Sequence, residues 1–276
     1  MRRALRPETG LFLGMTPALL RDWQAGEAFL ESLSRSRYQD HLVLKGGRAL
    51  KYLIAMDRPS RDMDFTVYGL SSDQPFIGGM TQEIAFASNA RELRFLQVDT
   101  QVERTNPYLV YRHHLAYVLQ GMVGRIQIDM PFEPLVGATR RSGSIPRLRL
   151  RVAGGIVAPF EVWTQPPENM FAEKFHALVK APDIDQRIYY IRFYYHLFKL
   201  IQSGILGADQ TCHALKQTFI KRRTRLPETF SPVHGESHTM QMQWERFIER
   251  ENLRDVPWKF SATVRSIDRF YARVRP

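Results

Sequence analysis

The segment Leu44–Gly69, LKGGRALKYLIAMDRPSRDMDFTVYG, combines a pair of adjacent glycines with two aspartates that are one residue apart. Gly46 and Gly47 follow an apolar run, and Asp62 and Asp64 open a run in which polar and apolar residues alternate. The alternation predicts a β-strand, and the apolar spacing between the glycines and the aspartates predicts a helix. The segment therefore predicts a strand, a tight glycine turn, a helix and a second strand in succession.

The two aspartates indicate a metal site. Alternate residues of a strand share a face, so Asp62 and Asp64 point the same way while Met63 and Phe65 point into the core. Two carboxylates side by side repel each other, and a divalent cation removes that repulsion. Because Mg²⁺ binds through a few carboxylates, water and substrate phosphates, we expect Mg²⁺ here, with Mn²⁺ as the alternative.

A third carboxylate is predicted on a later strand. In RIQIDM, residues 125–130, the two isoleucines and the methionine face one way, whereas Gln127 and Asp129 face the other. All three aspartates can be ordinary acids at a strand edge, and for Asp129 taken singly that interpretation is the favoured one. A glycine turn that opens a helix binds phosphate through its backbone amides. Together with two alternating aspartates and an isolated third, that turn favours a site for a triphosphate and its metal.

The charge of the chain indicates a polyanionic partner. Thirty-nine Lys and Arg residues against 28 Asp and Glu residues give a net charge of +11. Much of the excess lies in two segments, Thr139–Arg151 and Lys216–Arg225. A field of this sign attracts nucleic acid first and an acidic protein second. It disfavours cationic acceptors such as aminoglycosides, because these need an acidic cleft.

The rest of the sequence predicts an α+β domain followed by a helical domain. Helical spacing covers residues 17–36, and segments with strand character follow as far as the TQPPEN segment. One of them, LRLRVAGGIVAPFEV, predicts a hairpin that turns at Gly154–Gly155. After TQPPEN the apolar spacing is helical. We therefore predict a first domain of residues 1–163 and a second of residues 164–276.

Composition also bears on location. No apolar run approaches the ~20 residues that a membrane span needs, so no membrane association is expected. Cys212 is the only cysteine, which excludes an intrachain disulfide and a cysteine metal cluster. A cytoplasmic location is the simple expectation.

These motifs resemble the AbiEii-type nucleotidyltransferase toxins of type IV toxin–antitoxin systems, a family that includes the MenT-like enzymes. LKGGRAL followed by RPSRDMDF resembles their diglycine and Asp-x-Asp motifs, RIQIDM their third-aspartate strand, and AEKFHALV a helix of their second half. The resemblance implies a polymerase-β-like core with a mixed sheet and a helical C-terminal domain. It also implies metal-dependent transfer of a nucleotide from a nucleoside triphosphate to RNA, in particular the acceptor end of tRNA, and a cognate antitoxin protein as partner.

The resemblance also implies roles for individual residues. Asp62, Asp64 and Asp129 would be the catalytic metal ligands, and Lys174 would bind a nucleotide phosphate. The candidate nucleotide-binding residues beside the glycine pair and the first aspartate are Lys45, Gly46, Gly47, Arg48 and Arg61.

The sequence departs from the family pattern in two places. Arg48 stands where threonine or serine is usual, and its guanidinium would pair with a phosphate. In IRFYYHLF the family's arginine is present as Arg192, but Phe193 and His196 occupy the positions of two aspartates. His196 is either a catalytic residue, which orients the triphosphate or accepts a proton, or a packing residue on an aromatic-rich helix.

Transfer of a nucleotide to RNA by a toxin is the function that these residues favour. The missing helix aspartates leave open a degenerate family member that binds nucleotide or RNA without catalysis. A small-molecule nucleotidyltransferase of the antibiotic-modifying kind is the other alternative.

Overall fold

The chain forms two compact units. The computed structural model describes residues 15–54, 56, 60, 62–90, 92–105, 108–132, 147–152, 156–181, 183–230 and 238–276. The first unit contains residues 15–54 and 60–165, and the second contains residues 166–276 together with Met56.

The first unit combines three helices with seven strands. In chain order they are α1 (Pro17–Arg35), β1 (Leu42–Lys45), α2 (Gly46–Ile54), β2 (Met63–Val67), α3 (Gln74–Phe86), β3 (Leu93–Thr105), β4 (Tyr108–Leu119), β5 (Met122–Phe132), β6 (Leu148–Val152) and β7 (Phe160–Thr164). The first helix has a standard start, because Pro17 is in its first turn and the Thr16 hydroxyl accepts a hydrogen bond from the Leu19 amide.

The seven strands form one mixed sheet in the order β3-β4-β5-β2-β1-β7-β6. β2 pairs with β5 and β1 with β7 in parallel, and the remaining neighbours are antiparallel. The predicted mixed sheet is therefore confirmed. β6 and β7 form the predicted antiparallel pair, while the glycines at its predicted turn, Gly154–Gly155, lie outside the described residues.

The sheet has an apolar face and a polar face. Met63, Phe65, Ile126 and Ile128 are buried on the apolar face, where the Phe29 ring of α1 lies 6.3 Å from the Phe65 ring. Residues that alternate with them in β2 and β5 include Asp64, Gln127 and Asp129. Successive residues of a strand point to opposite faces, so these polar side chains lie on the other side of the sheet.

Helix α3 was not predicted. Its sequence, QPFIGGMTQEIAF, contains two glycines in the interior, each of which weakens a helix by about 1 kcal/mol relative to alanine. Burial of Ile77, Met80 and Ile84 stabilises the helix and offsets this low helix propensity. The helix therefore depends on tertiary packing, which a reading of local propensity does not include.

His113 of β4 is buried between two hydroxyl groups. Its Nδ1 lies 2.9 Å from the Thr100 hydroxyl and its Nε2 lies 3.3 Å from the Thr81 hydroxyl of α3. Burial lowers the pKa of His113 from 6.5 to about 4, because the charged ring is poorly solvated there. The His113 ring is therefore neutral in the folded protein at neutral pH.

This burial predicts an acid-sensitive fold. Because the folded-state pKa lies below the unfolded value, the stabilisation is complete above pH 6.5 and is lost as the pH falls towards 4. The loss amounts to about 3 kcal/mol in the free energy of unfolding. Urea unfolding at several pH values should show a shallower acid decline for His113→Gln than for wild type. His114→Gln, which removes a histidine from the other face of β4, should decline like wild type; equal declines for all three proteins would contradict the assignment.

The second unit consists of helices among the described residues. They are α4 (Pro167–Lys180), α5 (Ile184–Tyr189), α6 (Ile191–Gln202), α7 (Ala208–Lys221), α8 (His238–Arg250) and α9 (Phe260–Val274). Their core is aromatic: the Phe175 ring lies 4.6 Å from Tyr271 and 5.1 Å from Phe230. The helical C-terminal region is thus confirmed. In the part of the chain that the structure describes, no helix has the length and apolar character needed to cross a membrane.

Candidate active site

A row of charged residues crosses the polar face of the sheet. Lys45 of β1 pairs with Asp64 of β2, and Asp64 pairs with Asp129 of β5. Asp129 in turn pairs with Arg112 of β4. Because paired residues of neighbouring strands share a face, these four residues form a continuous row, here called the charged row. The row brings together three of the residues that the sequence identified.

Gly46 directly follows the row and touches it. Its φ of +72° lies in the left-handed region, which favours glycine. A Cβ atom at Gly46 would overlap the Asp64 carboxylate. The first predicted glycine is therefore needed for two reasons, the backbone conformation that turns β1 into α2 and the space that Asp64 occupies.

Asp62 and Gly47 lie beside the same turn. Asp62 is half-buried and precedes β2. The Ser60 hydroxyl donates to the Asp62 carbonyl oxygen at 3.1 Å, and a Cβ atom at Gly47 would lie 3.0 Å from the Ser60 side chain. The two segments that carry the motifs are thus in close contact. Arg61, the remaining predicted residue of this segment, lies outside the described residues.

Asp129 is held by two neighbouring side chains. Arg112 donates from Nε to one of its carboxylate oxygens at 3.0 Å and from Nη2 to the other at 3.3 Å. The Gln127 amide donates to both oxygens at 3.1 Å. The hydrogen bond to Asp129 raises the pKa of Arg112, and the charges of Glu103 and Asp62 add to the effect. Arg112 was not predicted, and it lies within the field of two of the three candidate metal ligands.

The carboxylates suit Mg²⁺ by chemistry, but Asp129 is engaged. Among the residues described, no group of three or more His, Cys, Asp or Glu side chains is arranged to hold a metal ion. Each oxygen of Asp129 accepts one bond from Arg112 and one from Gln127. A carboxylate oxygen has two lone pairs, so a cation at Asp129 competes with these donors. Asp62 and Asp64 are carboxylates of the kind that a hard cation prefers.

Arg48 does not lie in the charged row. It is fully buried, its guanidinium carbon is 4.1 Å from the centroid of the Trp23 ring, and its Nη2 donates to the Trp23 carbonyl oxygen. A side chain at Gly26 of α1 would overlap the guanidinium. The structure thus directs Arg48 into the core beneath α1, and not towards a phosphate as its sequence position suggested.

Lys174 lies in a basic and aromatic cleft of the second unit. The cleft has a volume of about 440 Å³. The Lys174 ammonium is 4.8 Å from the centre of the Phe193 ring, which stacks on Tyr190 at 5.0 Å. Lys180 and Arg222 also line the cleft, and burial lowers the pKa of Arg222. The cleft combines cations with aromatic ring faces, and this combination suits a phosphate or a nucleotide base.

The residues at the two aspartate positions have different surroundings. Phe193 lines the Lys174 cleft, whereas His196 is 2% exposed and lies 5.7 Å from the Tyr195 ring. The burial of His196 fits the packing alternative. A catalytic role for His196 stays a prediction.

Comparisons with known proteins agree with this architecture. A family model described as "Nucleotidyl transferase AbiEii toxin, Type IV TA system" matches residues 28–266. A protein from Helicobacter pylori whose crystal structure is described as that of a nucleotidyltransferase has a TM-score of 0.54 at 12% identity, covering 93% of this chain and 94% of its own. JHP933 from Helicobacter pylori has a TM-score of 0.53 at 12% identity, covering 93% and 91%. No curated protein matches the chain. The two solved structures confirm the predicted fold class.

Proposed function

The chain belongs to the AbiEii family of nucleotidyltransferase toxins of type IV toxin–antitoxin systems, and we propose that it transfers a nucleotide from a nucleoside triphosphate to RNA. The expected acceptor is the end of a tRNA. The observation that carries the proposal is the charged row, in which Lys45, Asp64 and Asp129 lie in register beside Gly46. Carboxylates beside a glycine turn that opens a helix are what binding of a metal triphosphate requires.

Each residue of the site has a proposed task. Asp62 and Asp64, with Asp129 as the third carboxylate, would hold Mg²⁺ or Mn²⁺, which when bound neutralises triphosphate charge and activates the attacking hydroxyl. The amides of Gly47 and Arg48 and the ammonium of Lys45 would bind phosphate oxygens. In the proposed transfer, the oxygen of the terminal ribose hydroxyl of RNA would bond to the α-phosphorus, its proton would pass to solvent, and the bond to pyrophosphate would break.

RNA is supported as acceptor by the net charge of +11, since a basic protein attracts polyanions from a distance. Lys174 would bind a phosphate in its own cleft, with Lys180 and Arg222 adding positive charge. The net positive charge also argues against the antibiotic-modifying alternative, because the acceptors of such enzymes are cationic.

A degenerate function, binding without transfer, is the second candidate. Two observations favour it: both oxygens of Asp129 are hydrogen-bonded to Arg112 and Gln127, and Phe193 and His196 replace two family aspartates. Such a protein would bind nucleotide and RNA through the same residues and release both unchanged.

The family membership supports two further proposals. A cognate antitoxin protein is the expected partner. The cytoplasm is the expected location, since nucleoside triphosphates and tRNA are there, and one cysteine in the whole sequence suits a reducing compartment.

A transfer assay tests the proposal. Purified protein is incubated with Mg²⁺, total tRNA and each labelled nucleoside triphosphate in turn. We expect label in tRNA, its loss with EDTA and its recovery with Mg²⁺ or Mn²⁺, because the carboxylates cannot bind a triphosphate without a cation. Binding of both substrates without any label in RNA would favour the degenerate function, and label that persists in EDTA would contradict the metal requirement.

A further inference from the structure

Three arginines alternate along the edge of the sheet in the first unit. Arg147 precedes the edge strand β6, and Arg149 and Arg151 lie within it. All three are exposed. Arg149 pairs with Trp163 of β7, so their side chains share a face of the sheet. We call Arg147, Arg149, Arg151 and Trp163 the arginine–tryptophan surface.

The tryptophan orders two of these arginines. The guanidinium carbons of Arg147 and Arg149 each lie 4.1 Å from the centroid of the Trp163 ring. The indole is itself fixed, because its Nε1 donates to Asp40 at 2.7 Å. Arg147 also donates to the Asp40 carbonyl oxygen at 3.2 Å. The two cations are thus held in place before any ligand binds, which lowers the entropy cost of binding.

Stacking leaves the guanidinium N–H donors able to bind anions, apart from Nη1 of Arg147, which contacts Asp40. A guanidinium that lies over a ring uses its face for the contact, and its N–H donors remain in its own plane. Those donors match the oxygens of a phosphate in pairs. Alternate residues of a strand are about 6.8 Å apart, a spacing similar to that of successive phosphates along an extended nucleic-acid strand.

The position of the surface favours RNA over an acidic protein segment. Leu44 of β1 pairs with Thr164 of β7 on the apolar face, so Lys45 and Trp163 both lie on the polar face. Trp163 is two strands from Asp64, a lateral distance of about 10 Å. A regular polyanion bound at the sheet edge therefore reaches the charged row across the same face.

We propose that the arginine–tryptophan surface binds the sugar–phosphate backbone of the RNA acceptor and directs it to the charged row. The inference rests on the proposed function for the identity of the polyanion. It adds a positioning role for Trp163, which is not a residue of the charged row.

Paired variants test the surface. Arg147→Gln/Arg149→Gln is compared with Arg250→Gln/Arg273→Gln, which removes the same charge from two exposed arginines that lie 5.8 Å from Phe247 and 5.6 Å from Phe270. Affinity for a fluorescein-labelled tRNA transcript is measured over a series of salt concentrations. We expect the first pair to weaken binding about tenfold and to lower the salt slope by about 1.5, and the second pair to behave like wild type.

Trp163→Leu and Trp163→Phe test the stacking. The leucine variant keeps the net charge but removes the ring on which both guanidinium groups stack, so tRNA affinity should fall, whereas phenylalanine keeps a ring face and should restore part of it. Thermal unfolding of each variant is measured beside binding. In transfer assays the KM for tRNA should rise while kcat and the KM for the nucleotide stay unchanged.

Each outcome separates the surface from the proposed function. Equal tRNA affinity in the two arginine pairs, or wild-type affinity in Trp163→Leu, would overturn the surface while transfer in wild type upheld the function. Competition by poly-glutamate as strong as by tRNA would overturn RNA as the ligand in favour of an acidic protein. If tRNA binding is weakened in the Arg147/Arg149 variant but not in the Arg250/Arg273 variant, the result supports the surface even if no transfer occurs.

Discussion

Asp64→Ala is expected to reduce nucleotide transfer to RNA about a thousandfold, the equivalent of roughly 4 kcal/mol of lost transition-state stabilisation. Asp64 lies at the centre of the charged row, between Lys45 and Asp129 and against Gly46. Asp64 is a proposed metal ligand, so its removal would take away a carboxylate that the neighbouring residues do not replace. It also relieves repulsion between carboxylates, so the melting temperature should stay within about 4 °C of wild type.

Asp99→Ala is the matched control. Asp99 is an acid on the same face of the same sheet, in the edge strand β3, where it pairs with Arg125 at 3.7 Å. Its loss removes one carboxylate without touching the charged row and should leave transfer unchanged. Asp64→Asn keeps the side-chain shape and serves as a second variant if alanine impairs folding. Equal label in RNA from wild type and both Asp64 variants would remove Asp64 from the site.

The core strands of the site could be predicted from sequence because their signals are local. Alternation in MDFTV and RIQID gives the two strands and the faces of Asp64 and Asp129, and the glycines mark the turn between β1 and α2. These features depend on residues that are neighbours in the chain. The family resemblance rested on the same local motifs.

The pairing of the strands could not be predicted in this way. That Asp64 lies opposite Asp129 depends on the parallel register of β2 and β5, which are separated by three other elements in the sequence. Arg112 was missed for the same reason. Its only local signal was an arginine within the run of aromatic and apolar residues in YLVYRHHLAYVL, and its partner is known only from the register of β4 with β5.

Burial explains the other differences. Arg48 occupies a motif position that suggested phosphate binding, but α1 has a glycine at residue 26 that makes room for its guanidinium beside Trp23. That compensation is distant in sequence and could not be read from the motif. His196 is likewise buried in the second unit, so its environment fits packing, and a catalytic role for it stays a prediction.

Gly46→Ala should reduce transfer nearly as much as loss of Asp64, and it should also destabilise the first unit. At a φ of +72° an alanine pays about 1–2 kcal/mol in backbone strain. Its Cβ would in addition overlap the Asp64 carboxylate, which must then leave its position in the charged row. Transfer assays and urea unfolding measure the two effects separately.

Gly121→Ala distinguishes strain from overlap. Gly121, in the turn between β4 and β5, has a φ of +75°, and a Cβ there would have nothing within 4 Å among the described residues. It should therefore show the backbone cost alone, with full transfer. In the double variant Gly46→Ala/Asp64→Gly the overlap is removed, so the stability losses should be less than additive. Full transfer by Gly46→Ala, or additive losses in the double variant, would show that Asp64 does not lie against Gly46 in the active protein.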